Sequence, residues 1–226
     1  MFGAMLTDAA GVPFYIMDTL PISLIDHRVY SIGGGGSGSK VADLYGSNQM
    51  YFTFVNCIYG DVEMDSNAEN IFFNPSTGIF ELWASGAART IHVYIFGFQY
   101  QNPSGYGLQV NDAQGRCVIT HDTKVLKNVQ KLGDQNNPQA SGMNLRADLA
   151  GNWAIAPADM GYYAGVINQA GQPMPIVSRY VSSARFDGST TRVRVGFFGN
   201  GPSSTGATGT TTNYRTTLTA VDVNNY

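Results

Sequence analysis

The chain has 226 residues, with 13 Lys+Arg against 16 Asp+Glu and a formal net charge of −3. Charged residues are only 13% where roughly 25% is usual, yet hydrophobic residues reach 43%. That excludes a disordered chain and a charge-rich coiled coil, and with only four lysines it offers no phosphate-neutralising face for nucleic acid.

The chain opens on MFGAMLTDAAG, which has no basic segment and meets Asp8 before an apolar stretch can form. No secretory signal is expected, and synthesis in a cytoplasm is. Strands are expected at 12–17, 22–32, 50–58, 70–73, 78–84, 90–99, 106–111 and 116–120. Further ones are expected at 125–132, 153–156, 161–168, 175–186, 191–198 and 214–223. These runs are rich in β-branched and aromatic residues and are punctuated by Gly, Pro, Asn and Asp. In Thr191-Arg-Val-Arg-Val195 the arginines take one face and the valines the other, the pattern of a half-buried strand. The best helical segment, 39–45, is too short to matter. The run 91–98 is far short of the ~20 apolar residues that span a bilayer, and no membrane insertion is expected.

An internal repeat organises the chain. Residues 3–18, from Gly3 to Asp18, and residues 107–122, from Gly107 to Asp122, share the pattern G-x-x-x-x-D-A-x-G followed by an apolar pair and a closing Asp. Physically this is a β-hairpin, in which Asp bonds the turn backbone and Gly supplies the positive φ that closes it. The fold expected is all-β, with two tandem antiparallel β-sandwich-like domains and little helix. The N-terminal domain would be 1–102 and the C-terminal one 103–226, with a polar join at 100–105.

Several motifs invite chemical readings. Residues 32–40 read I-G-G-G-G-S-G-S-K, but a phosphate-binding P-loop would need Lys one residue earlier and a hydroxyl where Val41 stands. Gly33, Gly35 and Gly38 match the dinucleotide fingerprint only formally, because no long helix follows; 33–39 is read as a mobile loop. Asp61, Glu63 and Asp65 alternate on one strand face, with Glu69 beyond, and this is read as a solvated face in preference to a calcium site. His27, His92 and His121 show no ligand spacing, so no metal or other cofactor is expected. Cys57 and Cys117 are expected as separate buried thiols. Among the aromatics, Trp153, Tyr162 and Tyr163 are candidates to present rings to a sugar or a partner, although core packing is the commoner fate. The tract 199–213 is read as a long polar contact loop. No catalytic constellation stands out, and no enzyme is expected.

From Tyr106 to Asp122, YGLQVNDAQGRCVITHD resembles the Y/F-G-L-x-V-x-[ND]-x-x-G hairpin of β-rich tail-tip and tail-fibre-associated proteins of lambda-like long-tailed phages. The likeness is clear over 105–200 and fainter before it. It implies a virion protein of the tail, active in tail assembly and host attachment. Its partners would be other tail proteins and copies of itself in a cyclic oligomer, a trimer first, with a host receptor or glycan beyond. Cys117 and Thr120 depart from the family pattern, and no functional residue transfers from it. Two alternatives stay open: a carbohydrate-binding or polysaccharide-degrading tailspike-type protein, and a head-decoration or tail-tube component.

Overall fold

The computed structural model describes residues 6–7, 13–15, 19–33, 35–58, 67–103, 105–169, 171–198 and 208–226. The described chain is all-β, its helical pieces being two 3-10 turns, Pro138–Ala140 and Gly142–Asn144. The first strands are β1 (Leu6–Thr7), β2 (Pro13–Tyr15), β3 (Ile22–Ile32), β4 (Gly35–Gly46), β5 (Tyr51–Ile58) and β6 (Ala68–Asn74). Next come β7 (Ile79–Gly86), β8 (Arg89–Phe98), β9 (Gln109–Asn111), β10 (Cys117–Thr120), β11 (Val129–Leu132) and β12 (Ala147–Ala150). The last six are β13 (Trp153–Ile155), β14 (Asp159–Gln169), β15 (Gln172–Phe186), β16 (Thr190–Phe198), β17 (Thr208–Asn213) and β18 (Leu218–Asp222).

β8 lies antiparallel between β3 and β5. Its Ile91, Val93 and Ile95 enter one cluster, Tyr94 and Phe96 enter another, and all five are buried. Burial on both faces is why 91–98 reads as a nearly unbroken apolar run and not as an alternation. β5 carries the sheet onward. Val55 pairs with Ile155 of β13, while Cys57 and Ile58 run parallel to Arg185 and Phe186 of β15. From β13 the sheet continues to β18 and β11. β15 holds β14 and β17 along one side and β16 and β12 along the other. One sheet of eleven strands therefore spans both sides of residue 102.

A smaller sheet, ordered β4-β7-β6, stacks on this one. Leu44, Leu82 and Ala84 of the small sheet meet Val55, Cys57, Ile91 and Val93 of the large one. A second cluster, with Ile155, Met160, Val193 and Leu218 at its centre, lies wholly in the C-terminal half. A third joins the halves, with Phe54, Tyr94 and Phe96 against Ala154, Val221 and Val223. Val193 is buried, whereas Arg192 and Arg194 reach outward to Asp187 and Asp148, the expected alternation.

In the second hairpin the Asp112 carboxylate accepts from the backbone N–H groups of Gln114 and Arg116, at 3.0 and 2.8 Å, and from Arg116 Nε at 2.7 Å. Gly115 closes the turn at φ 80. Cys117 pairs with Asn111 and Ile119 with Val110, around a bulge. β1 and β2 pair in the same register and with the same irregularity, Pro13 with Thr7 and Tyr15 with Leu6, each position 104 residues earlier. Asp8, Gly11 and Asp18 of the first copy lie outside the described residues.

Three segments depart from expectation. Most of 33–39 is no loop: β4 is extended from Gly35 and pairs with β7 through three register shifts. Gly38 there takes φ +71 and lies against the Phe198 ring, which a Cβ would meet at 3.0 Å. In the tract 199–213, residues 208–213 form β17 instead of a loop. β12 lies outside every expected strand. The acids Asp61, Glu63 and Asp65 fall outside the described residues. Glu69 is buried on β6 and does not lie on a solvated face.

Candidate functional site

Strand registers assemble a partly exposed face of aromatic and apolar side chains. Directly paired residues of an antiparallel sheet share one side. Tyr162 pairs with Arg179 and with Thr212, and Arg179 pairs with Phe198. Toward the β14–β15 turn, Ala164 pairs with Val177 and Val166 with Pro175. Val177 is 72% exposed and Val166 40%, large values for apolar side chains on a regular sheet, and Tyr214, just beyond β17, is 50% exposed. The Tyr162 and Tyr214 rings lie 5.8 Å apart.

The small sheet extends this face. Phe72 of β6 meets Phe198 edge-on at 5.3 Å and Trp83 of β7 at 6.4 Å. The Arg179 guanidinium sits over the Phe72 ring, 5.2 Å from its centroid. Arg179 also faces Asp159 at 3.5 Å, and Asp159 accepts from Asn70 Nδ2 at 2.9 Å, tying β6 to β14. Two open hollows result. One, of about 440 Å³, is lined by Phe72, Phe73, Trp83 and Phe198 with Arg179 and Glu81. The other, of about 290 Å³, is lined by Tyr162, Val177, Tyr214, Asp159 and again Arg179.

Glu81 forms the polar end. Its carboxylate accepts from Asn74 Nδ2, Lys40 Nζ and Trp83 Nε1, each at 2.9 Å. These donors, Asn74 foremost, hold its carboxyl down to about 2. The face therefore presents aromatic rings, one guanidinium and locked carboxylates. Trp, Tyr and Arg are the residue types that commonly anchor protein interfaces.

Of the three aromatics singled out in the sequence, Tyr162 alone lies on this face. All three are on strands and none on a loop. Tyr163 points to the opposite side and is buried, its ring lying on Gly165 and Gly209. Trp153 packs half-buried against the C-terminal cluster and donates its indole N–H to Ala150 O at 2.9 Å. Phe72, Trp83, Arg179 and Phe198 were missed, since each reads as one more apolar or polar strand position.

The histidines separate differently from their spacing. Register brings His27 Nε2 to 3.0 Å from His92 Nδ1, with His27 stacked on Tyr94 at 4.3 Å. Burial lowers both imidazole pKa values. His121 lies apart, against Gly107, where a Cβ would strike its ring. Cys57 and Cys117 are both buried free thiols.

Comparison with family models, with curated proteins and with solved structures finds no match, so the reading of this face rests on the chain's own chemistry.

Proposed function

We propose that the chain is a structural virion protein of a phage tail tip or fibre complex. It contributes to tail assembly and host attachment through protein–protein contacts, without catalysis. The observation that carries this reading is the continuous face on which exposed Val166, Val177, Tyr214 and Arg179 adjoin the half-buried rings of Tyr162 and Phe72. Contiguous apolar surface of this kind marks an interaction site. The hairpin from Tyr106 to Asp122 supplies the resemblance that names the assembly.

Mass spectrometry of tails separated from heads tests the proposal. The chain is expected in the tail fraction at a fixed copy number, and Tyr162→Ala with Arg179→Ala should lower its incorporation. Its absence from purified particles would overturn the assignment, and recovery with heads would favour a decoration role. The rings of Phe72, Trp83 and Phe198 beside Arg179 also suit the face of a sugar. Glycan-array binding that is lost in Arg179→Ala would shift the reading to carbohydrate recognition.

A further inference from the structure

We infer that β17 is a docking edge for the same strand of a second copy of this chain. The inference deepens the structural reading above and rests on it.

Exposed sheet edges are templates for further pairing, and proteins usually defend them with charges, bulges or brevity. Four other described edges follow that rule. β3 carries Asp26, His27 and Arg28 beside a register shift. β4 carries Lys40 and Asp43 among three shifts. β11 and β12 are four residues long and hold Lys131 and Asp148. β6 carries no such defence, since its one charge, Glu69, is buried against Arg89, but that strand lies against β15 and β16 of the large sheet.

β17 has none of these defences. Its sequence is Thr-Gly-Thr-Thr-Thr-Asn, uncharged and free of proline, with Thr208 to Thr212 all exposed. It pairs with β14 through six consecutive residues without a shift, and among the described residues it has no other strand partner. The ladder is regular, and among the described residues no strand lies on its outer side.

Charge and side-chain chemistry favour a second copy as the occupant. Two β17 strands related by a two-fold axis run antiparallel, and such a contact closes on itself. Thr–Thr cross-strand pairs are favourable, and like charges set opposite one another are not. Self-pairing of β3, β4 or β11 would bring their own lysines, arginines or aspartates together, whereas self-pairing of β17 opposes no charges. Thr208, Thr210 and Thr212 share a side with Val166, Ala164 and Tyr162. The aromatic faces of the two copies would therefore join across the new ladder. The symmetry is two-fold, where the sequence reading expected a trimer.

The test is the mass of the full chain in solution, by light scattering across a concentration series, for native protein and for Thr210→Lys with Thr212→Lys. The native chain should reach twice its single-copy mass. The double variant should stay at one copy with an unchanged far-ultraviolet β spectrum. As a check free of mutation, backbone amides of 208–213 in the native chain should gain exchange protection as concentration rises. A native chain of single-copy mass at every concentration, a variant that still pairs, or 208–213 amides whose protection ignores concentration would each overturn the inference. Particle composition is a separate readout. Finding the chain in tails yet unpaired defeats this pairing alone, and finding it paired yet absent from particles defeats the tail assignment alone.

Discussion

Glu69 on β6 and Arg89 on β8 form an ion pair sealed between the two sheets, with Oε1 2.6 Å from Nε and side chains 2% and 0% exposed. The remaining guanidinium N–H groups donate to the carbonyls of Ala87 and Ser85, at 2.7 and 2.8 Å, and to that of Ala68 at 3.3 Å. Each guanidinium nitrogen has a partner, so the pair clips the small sheet in one position. Glu69→Ala leaves a buried cation uncompensated, and that loss costs about 3–5 kcal/mol. The urea midpoint should fall accordingly. A midpoint within error of native would show that the clip contributes nothing.

Tyr162 and Tyr163 are neighbours with opposite fates. The Tyr163 ring covers Gly165 and Gly209, positions whose missing side chains leave the backbone open. Tyr163→Ala should therefore destabilise the fold by about 3 kcal/mol, in the range for a buried aromatic. Tyr162→Ala on the half-buried outer face should cost less, about 1 kcal/mol, while weakening tail incorporation. Thermal melts of the two variants, run side by side, check both halves of the contrast. Equal losses would mean that Tyr162 belongs to the core.

Much of the strand layout was legible because alternation and two-sided burial leave marks in the sequence. The expected strand 22–32 coincides with β3, and the turn chemistry of Asp112 and Gly115 stands as read. β4 and β17 left no such mark. β4 shifts register three times and begins in glycine, and β17 is polar on both sides, so neither alternates. The aromatic face was illegible for another reason. Phe72, Trp83, Arg179 and Phe198 come from four strands, and only the stacking of the two sheets brings them together. The His27–His92 contact likewise depends on the β3–β8 register, which their spacing does not encode.

That histidine contact predicts a pH dependence near neutrality. Burial disfavours both imidazolium forms, Lys124 adds to the effect at His27, and His27 adds to it at His92. With folded pKa values below the ordinary 6.5, the unfolded chain binds protons more readily than the folded one. The contribution is fully present above pH 6.5 and falls away as the pH drops through the lowered values. Urea midpoints should decline on the acid side of 6.5, and His27→Gln should flatten that decline. A midpoint that holds steady there in the native chain would contradict the neutral pair.

Glu81 governs a lower window. Held at about 2 against an ordinary 4.5, its carboxylate contributes stability above 4.5 that is lost as the pH falls toward 2. Glu81→Gln should remove part of the acid-induced loss in that interval, measured by circular dichroism along an acid titration. The same cluster sets an amine, a carboxamide and a carboxylate in contact, the ingredients of an amide cross-link between Lys40 and Asn74. Hydrogen bonds from Lys40 to Asp43 and Glu81 raise its pKa above 10.5, and a protonated amine carries no lone pair to attack the Asn74 carbonyl. A carboxylate near 2 does not take that proton. Lys40 and Asn74 should therefore stay unlinked, with an intact mass matching the sequence. A deficit of one ammonia, abolished in Lys40→Arg, would show that the cluster reaches a neutral state and reacts.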